Sequence, residues 1–161
     1  MIMHTKSREY QKKALNTWLF RMGMLRKLPS VFFWGIRIID LTTKASILTI
    51  PYNWKTQNPF SSMYFAALAG AAELSTGALC QLHLADRTPH SMLVTNFTME
   101  YVKKANTLIT LTCEQGDEVE KFLNGLTQKG DSGRITLISE AINSKQELVA
   151  TAKITWSIMR K

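Results

Sequence analysis

Ser61-Ser62-Met63-Tyr64-Phe65-Ala66-Ala67-Leu68-Ala69-Gly70-Ala71-Ala72-Glu73-Leu74 is the stretch from which the rest of the chain is read. It is small and apolar all round, and between Lys55 and Asp86 its Glu73 is the only Asp, Glu, Lys or Arg. A helix apolar on every side belongs inside a protein. Carboxylates are almost never fully buried without a partner, so a lone one here is informative. Desolvation raises a carboxyl pKa and makes Glu73 a candidate general base or acid. The structural alternative is a glutamate at the edge of a buried helix, its head in solvent or bonded to a loop. Asn58-Pro59 marks a turn, and Ser61 or Ser62 is a natural N-cap after it. Ala66, Ala67, Ala69, Gly70, Ala71 and Ala72 suit a helix held close against strands. The expectation is one helix over 61–82, wrapped by a sheet.

On the N-terminal side, 7–27 reads as an amphipathic helix with Leu15, Trp18, Leu19, Met22 and Leu25 near one face. It belongs to an N-terminal helical segment, 1–28, and Pro29 stops it. Residues 31–41, rich in β-branched and aromatic side chains, read as a strand, and 45–52 as its partner across Thr42-Thr43-Lys44. Beyond the central helix, 93–103, 107–114 and 134–143 read as strands. A short helix over 117–126 opens with Asp117 and Glu118, which its dipole favours. In 147–159, Val149, Thr151, Lys153, Thr155 and Ser157 alternate with Ala150, Ala152, Ile154, Trp156 and Ile158, one wetter face and one buried. With no internal repeat or linker, this predicts a single α+β domain over 1–161. Its architecture is a curved antiparallel sheet of about six strands around one helix.

A chain of 161 residues, 45% hydrophobic and 20% charged, has an ordinary globular composition and is long enough for a real core. Cys80 and Cys113 are too few for a disulfide framework and read as small buried hydrophobes. The expected compartment is a reducing cytoplasm, with no secretory signal and no membrane span. The net charge of +8 is uneven: ten Lys and Arg precede Pro59, against Glu9 and Asp40. That excess favours anionic partners, but no zinc-finger spacing, base-reading helix or RNA-binding signature accompanies it, so nucleic acid is not expected. Cys80 and His83 share a helix face with His90 in the next loop, yet this set is too short for a metal centre and none is expected. There is no Gly-x-Ser-x-Gly elbow. Gly130-Asp131-Ser132-Gly133 lacks the lysine and context of a phosphate loop.

A buried helix after two strands, preceded by Asn58 and carrying Glu73, resembles the hotdog-fold thioesterase superfamily. In its phenylacetyl-CoA-thioesterase-like branch the pattern runs Asn, a short turn ending in Ser or Thr, a His-Gly-Gly step, then an acid in the helix. Asn58, Ser62, Tyr64-Phe65-Ala66 and Glu73 fall on it without a gap. The text of 62–69 with Ala72-Glu73-Leu74 is closer still to a little-characterised branch of that superfamily. Met99-Glu100-Tyr101-Val102-Lys103-Lys104-Ala105 resembles its third strand. The main departure is the His-Gly-Gly step, which is Tyr64-Phe65-Ala66 here.

The resemblance implies hydrolysis of an acyl thioester carried by coenzyme A or acyl carrier protein, with no cofactor beyond the coenzyme A of the substrate. Glu73 would be general base or nucleophile, the Phe65 N–H would hold the oxyanion, and Asn58 would orient the reactants. Tyr64 could add a hydroxyl, Ala66 a second N–H, and Thr76 could orient the carboxylate. Thr76 could equally bond back to its own helix, and Asn58 could simply initiate the turn. Arg87, Lys103 and Lys104 would meet the phosphates of coenzyme A. The superfamily builds its site across a homodimer or homotetramer, with 93–103 as the expected seam. Two alternatives stand beside this reading. One is a non-catalytic hotdog protein that binds acyl-CoA or a hydrophobic ligand. The other is a polyanion- or membrane-surface protein led by the basic N-terminal segment.

Overall fold

The computed structural model describes residues 3–161. Among the described residues three helices come first: α1 (Thr5–Leu15), α2 (Thr17–Lys27) and α3 (Pro29–Trp34). Strands β1 (Arg37–Leu41) and β2 (Ser46–Ile50) follow, then the long helix α4 (Phe65–Leu84). The remainder is β3 (His90–Tyr101), β4 (Ile109–Cys113), α5 (Gly116–Asn124), β5 (Ser132–Ile142) and β6 (Leu148–Arg160). All strand pairs are antiparallel, in the order β1-β2-β4-β5-β6-β3. The sheet curves around α4, and this is the hotdog fold.

The core lies between α4 and the inward face of the sheet. Ala67, Leu68, Ala71, Ala72, Leu79 and Leu82 of α4 are buried with Leu48, Ile50, Leu111, Leu137 and Ile154. Alanine and glycine let the helix approach the strands closely. In β6, Ala150, Ala152, Ile154, Trp156 and Ile158 are buried as the alternation predicts, while Lys153 is exposed. Val149 departs from it: this residue is buried, and its carbonyl accepts from the Val102 and Lys103 N–H groups. At twenty residues α4 is long and apolar enough to span a membrane by length and composition, but it is the core helix here, with eleven residues buried.

Three expectations are corrected. The helix read over 7–27 is two helices, because Asn16 leaves helical geometry (φ −76°, ψ 104°) and its side chain accepts from the Leu19 N–H at 3.0 Å, capping α2. The strand read over 31–41 is strand only from Arg37. Pro29 starts α3 instead of ending the region, and Gly35, left-handed at φ 74°, closes it. Trp34 then packs on α4 at Gly70, where a Cβ would sit 2.7 Å from the indole. Tertiary packing thus overrides the β propensity of Val31-Phe32-Phe33-Trp34. Lastly, α4 starts at Phe65, with Tyr64 as an N-cap that makes no side-chain bond. Ser61 and Ser62 lie before the helix, and Ser62 Oγ accepts from the Ala105 N–H at 3.2 Å.

Candidate functional site

The open stripe of α4 runs through Ala66, Ala69, Gly70, Glu73, Gly77 and Gln81, the side the sheet leaves uncovered. Glu73 is half-buried on it, and among the described residues its carboxylate makes no hydrogen bond or ion pair. Burial pushes its pKa above the ordinary carboxylate value. The surrounding cavity, about 380 Å³, is lined by Tyr10, Met24, Leu28, Met92 and Trp156, with Lys27 at its rim. Gly77 keeps this space open: a Cβ there would lie 3.2 Å from the Trp156 ring and 3.8 Å from Glu73 Oε1. Trp156 is fixed by its Nε1–H, which donates to Thr76 Oγ1 at 2.9 Å. Thr76 in turn donates to the Glu73 carbonyl at 2.9 Å. Thr76 is therefore buried and holds the cavity wall; its hydroxyl bonds the Glu73 backbone and not the carboxylate.

A second hollow, about 350 Å³, lies at the start of α4, lined by Asn58, Ser62, Phe65, Tyr101, Lys103 and Lys104 among others. Here the Phe65 and Ala66 N–H groups have no acceptor among the described residues, as the first turn of a helix dictates. They form an electropositive end suited to developing negative charge. Tyr64 and Phe65 pack edge to face, ring centroids 5.0 Å apart, and both are largely exposed. Tyr101 donates its hydroxyl to the Phe65 carbonyl at 3.3 Å.

The Asn58 side chain is committed to its loop. Its Oδ1 accepts from Phe60 and Ser62 N–H groups at 2.9 and 3.3 Å, and its Nδ2 donates to the Met63 carbonyl at 3.2 Å. One Nδ2 hydrogen is left for a ligand. Lys103 pairs with Glu147 at 2.5 Å, and Lys104 donates to the Phe60 carbonyl at 3.1 Å. Arg87 sits elsewhere, at the far end of α4. It donates to the His83 carbonyl at 3.2 Å and to Asn124 at 2.7 Å, so it joins neither hollow. Cys80 is buried with its thiol pushed up, and His83 Nε2 lies 3.0 Å from the Thr43 carbonyl. Among the described residues no three His, Cys, Asp or Glu side chains converge.

The sequence-predicted residues are therefore divided between two separate hollows, Glu73 and Thr76 at one and Asn58, Phe65, Lys103 and Lys104 at the other. Glu73 stands eight residues along α4 from the free N–H of Phe65, about 12 Å at the helical rise. No single carbonyl group spans that gap. The residues missed from sequence are those that wall in Glu73 from other elements: Tyr10, Met24, Leu28, Met92 and Trp156. Burial pushes the Tyr10 phenol up to about 12, so it stays protonated at neutral pH. No periodicity in the sequence joins these wall residues, since Leu28 lies just past the end of α2 and the others stand on separate elements.

A family model described as "Domain of unknown function (DUF4442)" matches residues 16–158. The chain belongs to the DUF4442 family. No curated protein matches its sequence. Among solved structures, this DUF4442 chain is similar to a protein with unknown function from Chlorobaculum tepidum TLS. The TM-score is 0.77 at 18% identity, covering 96% of this chain and 94% of that one. It is also similar to a thioesterase from Haemophilus influenzae (TM-score 0.67, 14% identity, 94% and 95% covered). A third similar structure is the E. coli PaaI protein from the phenylacetic acid degradation operon (TM-score 0.63, 14% identity, 92% and 96% covered). At these identities the likeness is one of fold.

Proposed function

We propose that this protein hydrolyses acyl thioesters, with coenzyme A or acyl carrier protein as the leaving thiol, at a site shared between two copies of the chain. The observation that carries this reading is the layout of β3. Met92, near its start, lines the Glu73 cavity, and Tyr101, at its end, lines the hollow at the start of α4. β3 is an edge strand with one side unpaired. A two-fold pairing of β3 with a second copy, centred near Asn96 and Phe97, exchanges the two ends. The Phe65 end of one copy then faces the Glu73 cavity of the other, closing the 12 Å gap.

In that composite site the Glu73 carboxylate, poorly solvated and unpaired, takes a proton from water or attacks the thioester carbonyl itself. The Phe65 and Ala66 N–H groups of the other copy stabilise the oxyanion. The Ala66 methyl and Phe65 side chain leave the backbone donors in place where glycines would otherwise stand. Met24, Leu28, Met92 and Trp156 form an apolar wall suited to an acyl chain. Lys103 and Lys104 line the second hollow and would meet the phosphates of coenzyme A by exchanging their present partners, Glu147 and the Phe60 carbonyl. Both cysteines are free buried thiols, which accords with a reducing compartment such as the cytoplasm.

Thiol release measured across an acyl-CoA panel tests the reading, with Glu73→Ala as control. Turnover of some acyl-CoA that Glu73→Ala abolishes supports it. Binding of acyl-CoA with no thiol released by the native protein favours a non-catalytic acyl-binding module instead. The Tyr64-Phe65-Ala66 replacement is the observation on that side.

A further inference from the structure

The basic N-terminal half carries a second surface that the proposed reaction leaves unused. Trp18, Met22 and Leu25 follow one face of α2, with exposures of 68, 45 and 39%. Arg21 flanks that stripe, and its guanidinium lies 4.5 Å from the centroid of the Phe32 ring. Arg21 and Phe32 also line an open cleft of about 560 Å³, together with exposed Phe33, Arg37, Ile39 and Lys55. The Lys55 ammonium sits 5.3 Å from the centroid of the Trp54 ring, which is 77% exposed. A cleft holding three cations is thus linked through Arg21 to the apolar stripe of α2 and through Lys55 to Trp54. Arg21, Arg37 and Lys55 make no ion pair among the described residues.

We infer that this face docks on an anionic lipid bilayer, with headgroup phosphates in the Arg21–Arg37–Lys55 cleft and the rim of Trp18, Met22, Leu25, Phe33 and Trp54 in the interface. Basic residues beside tryptophan and aliphatic side chains on one exposed face are the composition of an interfacial helix. A second copy is a poor occupant, because a self-complementary contact sets this cleft's cations against each other. Nucleic acid fits less well: Trp18, Phe33 and Trp54 can stack on bases, but Met22, Leu25 and Ile39 add aliphatic surface that a bilayer interface buries and a nucleic acid leaves wet. The face lies over β1, at the opposite edge of the sheet from β3. It therefore stays open when copies pair through β3, and the inference does not depend on the proposed activity.

Co-sedimentation of the full-length protein with phosphatidylcholine vesicles, with and without one-third phosphatidylglycerol, is the test. The expected result is binding to the anionic vesicles alone, with a blue shift of tryptophan emission and loss at high salt. Arg21→Glu and Lys55→Glu should each weaken binding by about five-fold or more. Trp18→Ser with Trp54→Ser should lose the blue shift. These side chains are at the surface, so an unchanged thermal melt establishes that the variants are folded. Failure to sediment with anionic vesicles overturns the inference, as does undiminished binding by the charge-reversal variants. Tighter binding to a single-stranded oligonucleotide than to vesicles overturns it in favour of nucleic acid. A fall in solution mass in Trp18→Ser with Met22→Ser overturns it in favour of a second copy.

Discussion

Glu73 combines three properties seldom found together: a half-buried carboxylate, no partner among the described residues, and an apolar cavity in front of it. Its raised pKa fixes a sign. Burial disfavours the ionised form, so thioester turnover should rise with pH as that pKa is passed and then level off. Glu73→Gln keeps the shape and removes the base; turnover should fall by about a hundred- to ten-thousand-fold in the thiol-release assay. The same burial means that ionised Glu73 costs folding stability. Glu73→Gln should therefore melt no lower than the native protein at neutral pH, and the difference should shrink as pH falls from the raised folded value towards the ordinary carboxylate range, below which it is gone.

Asn58 can be tested in parts. Asn58→Asp retains the oxygen that accepts from Phe60 and Ser62, but replaces the donor to the Met63 carbonyl with a charged acceptor. Asn58→Ala loses the whole turn and should cost about 1–3 kcal/mol in chemical denaturation. If the amide meets substrate, Asn58→Asp should be folded but slow. If turn geometry is its whole role, the turnover lost in Asn58→Asp and Asn58→Ala should track the stability each loses.

Among the elements, α1 depends on a residue far away in sequence. Asp86, in the loop after α4, accepts from the His4, Lys6 and Ser7 N–H groups at 3.0, 3.0 and 3.3 Å, and from the Ser7 hydroxyl. It caps the start of α1 from across the molecule. These bonds, led by that of the Ser7 hydroxyl, hold the Asp86 carboxyl below its ordinary value. A depressed carboxyl contributes stability above its unfolded pKa, about 3.9, that is lost as pH falls through the folded value. Amide exchange in α1 should therefore speed up in acid before that of α4. Asp86→Ala should produce the same loosening at neutral pH. Because Tyr10 of α1 walls the Glu73 cavity, Asp86→Ala should also raise KM for acyl-CoA more than it lowers kcat.

For the whole molecule, the proposed shared site makes a prediction that no single-chain site can meet. Phe65→Pro removes one N–H at the first helical position, where proline fits, and Tyr64 already has the extended backbone proline demands of its neighbour (φ −61°, ψ 129°). Glu73→Gln and Phe65→Pro should each be crippled alone. Mixed and re-equilibrated, they should recover about a quarter of native turnover, since half the dimers are hybrids with one intact site of two. A site within one chain would recover nothing. Light scattering should return a dimer mass or larger at micromolar concentration.

Patterning alone determined the central helix, the six-stranded antiparallel sheet and the identity of the lone acid, because these follow from local periodicity and from the placement of a single charge. The strand alternation in β6 and the amphipathic start of α5 were legible for the same reason. Tertiary structure decided the rest. Val31-Phe32-Phe33-Trp34 is helical because Trp34 has Gly70 to pack on, a contact between segments over thirty residues apart. Asn16 breaks the first helix through a cap that competes closely with helix continuation. The wall around Glu73 draws on α1, α2, β3 and β6, and Arg87 is turned away from both hollows by Asn124. Local sequence records what each segment prefers. Which side chains share a cavity depends on how segments meet, and that is fixed by packing over the whole chain.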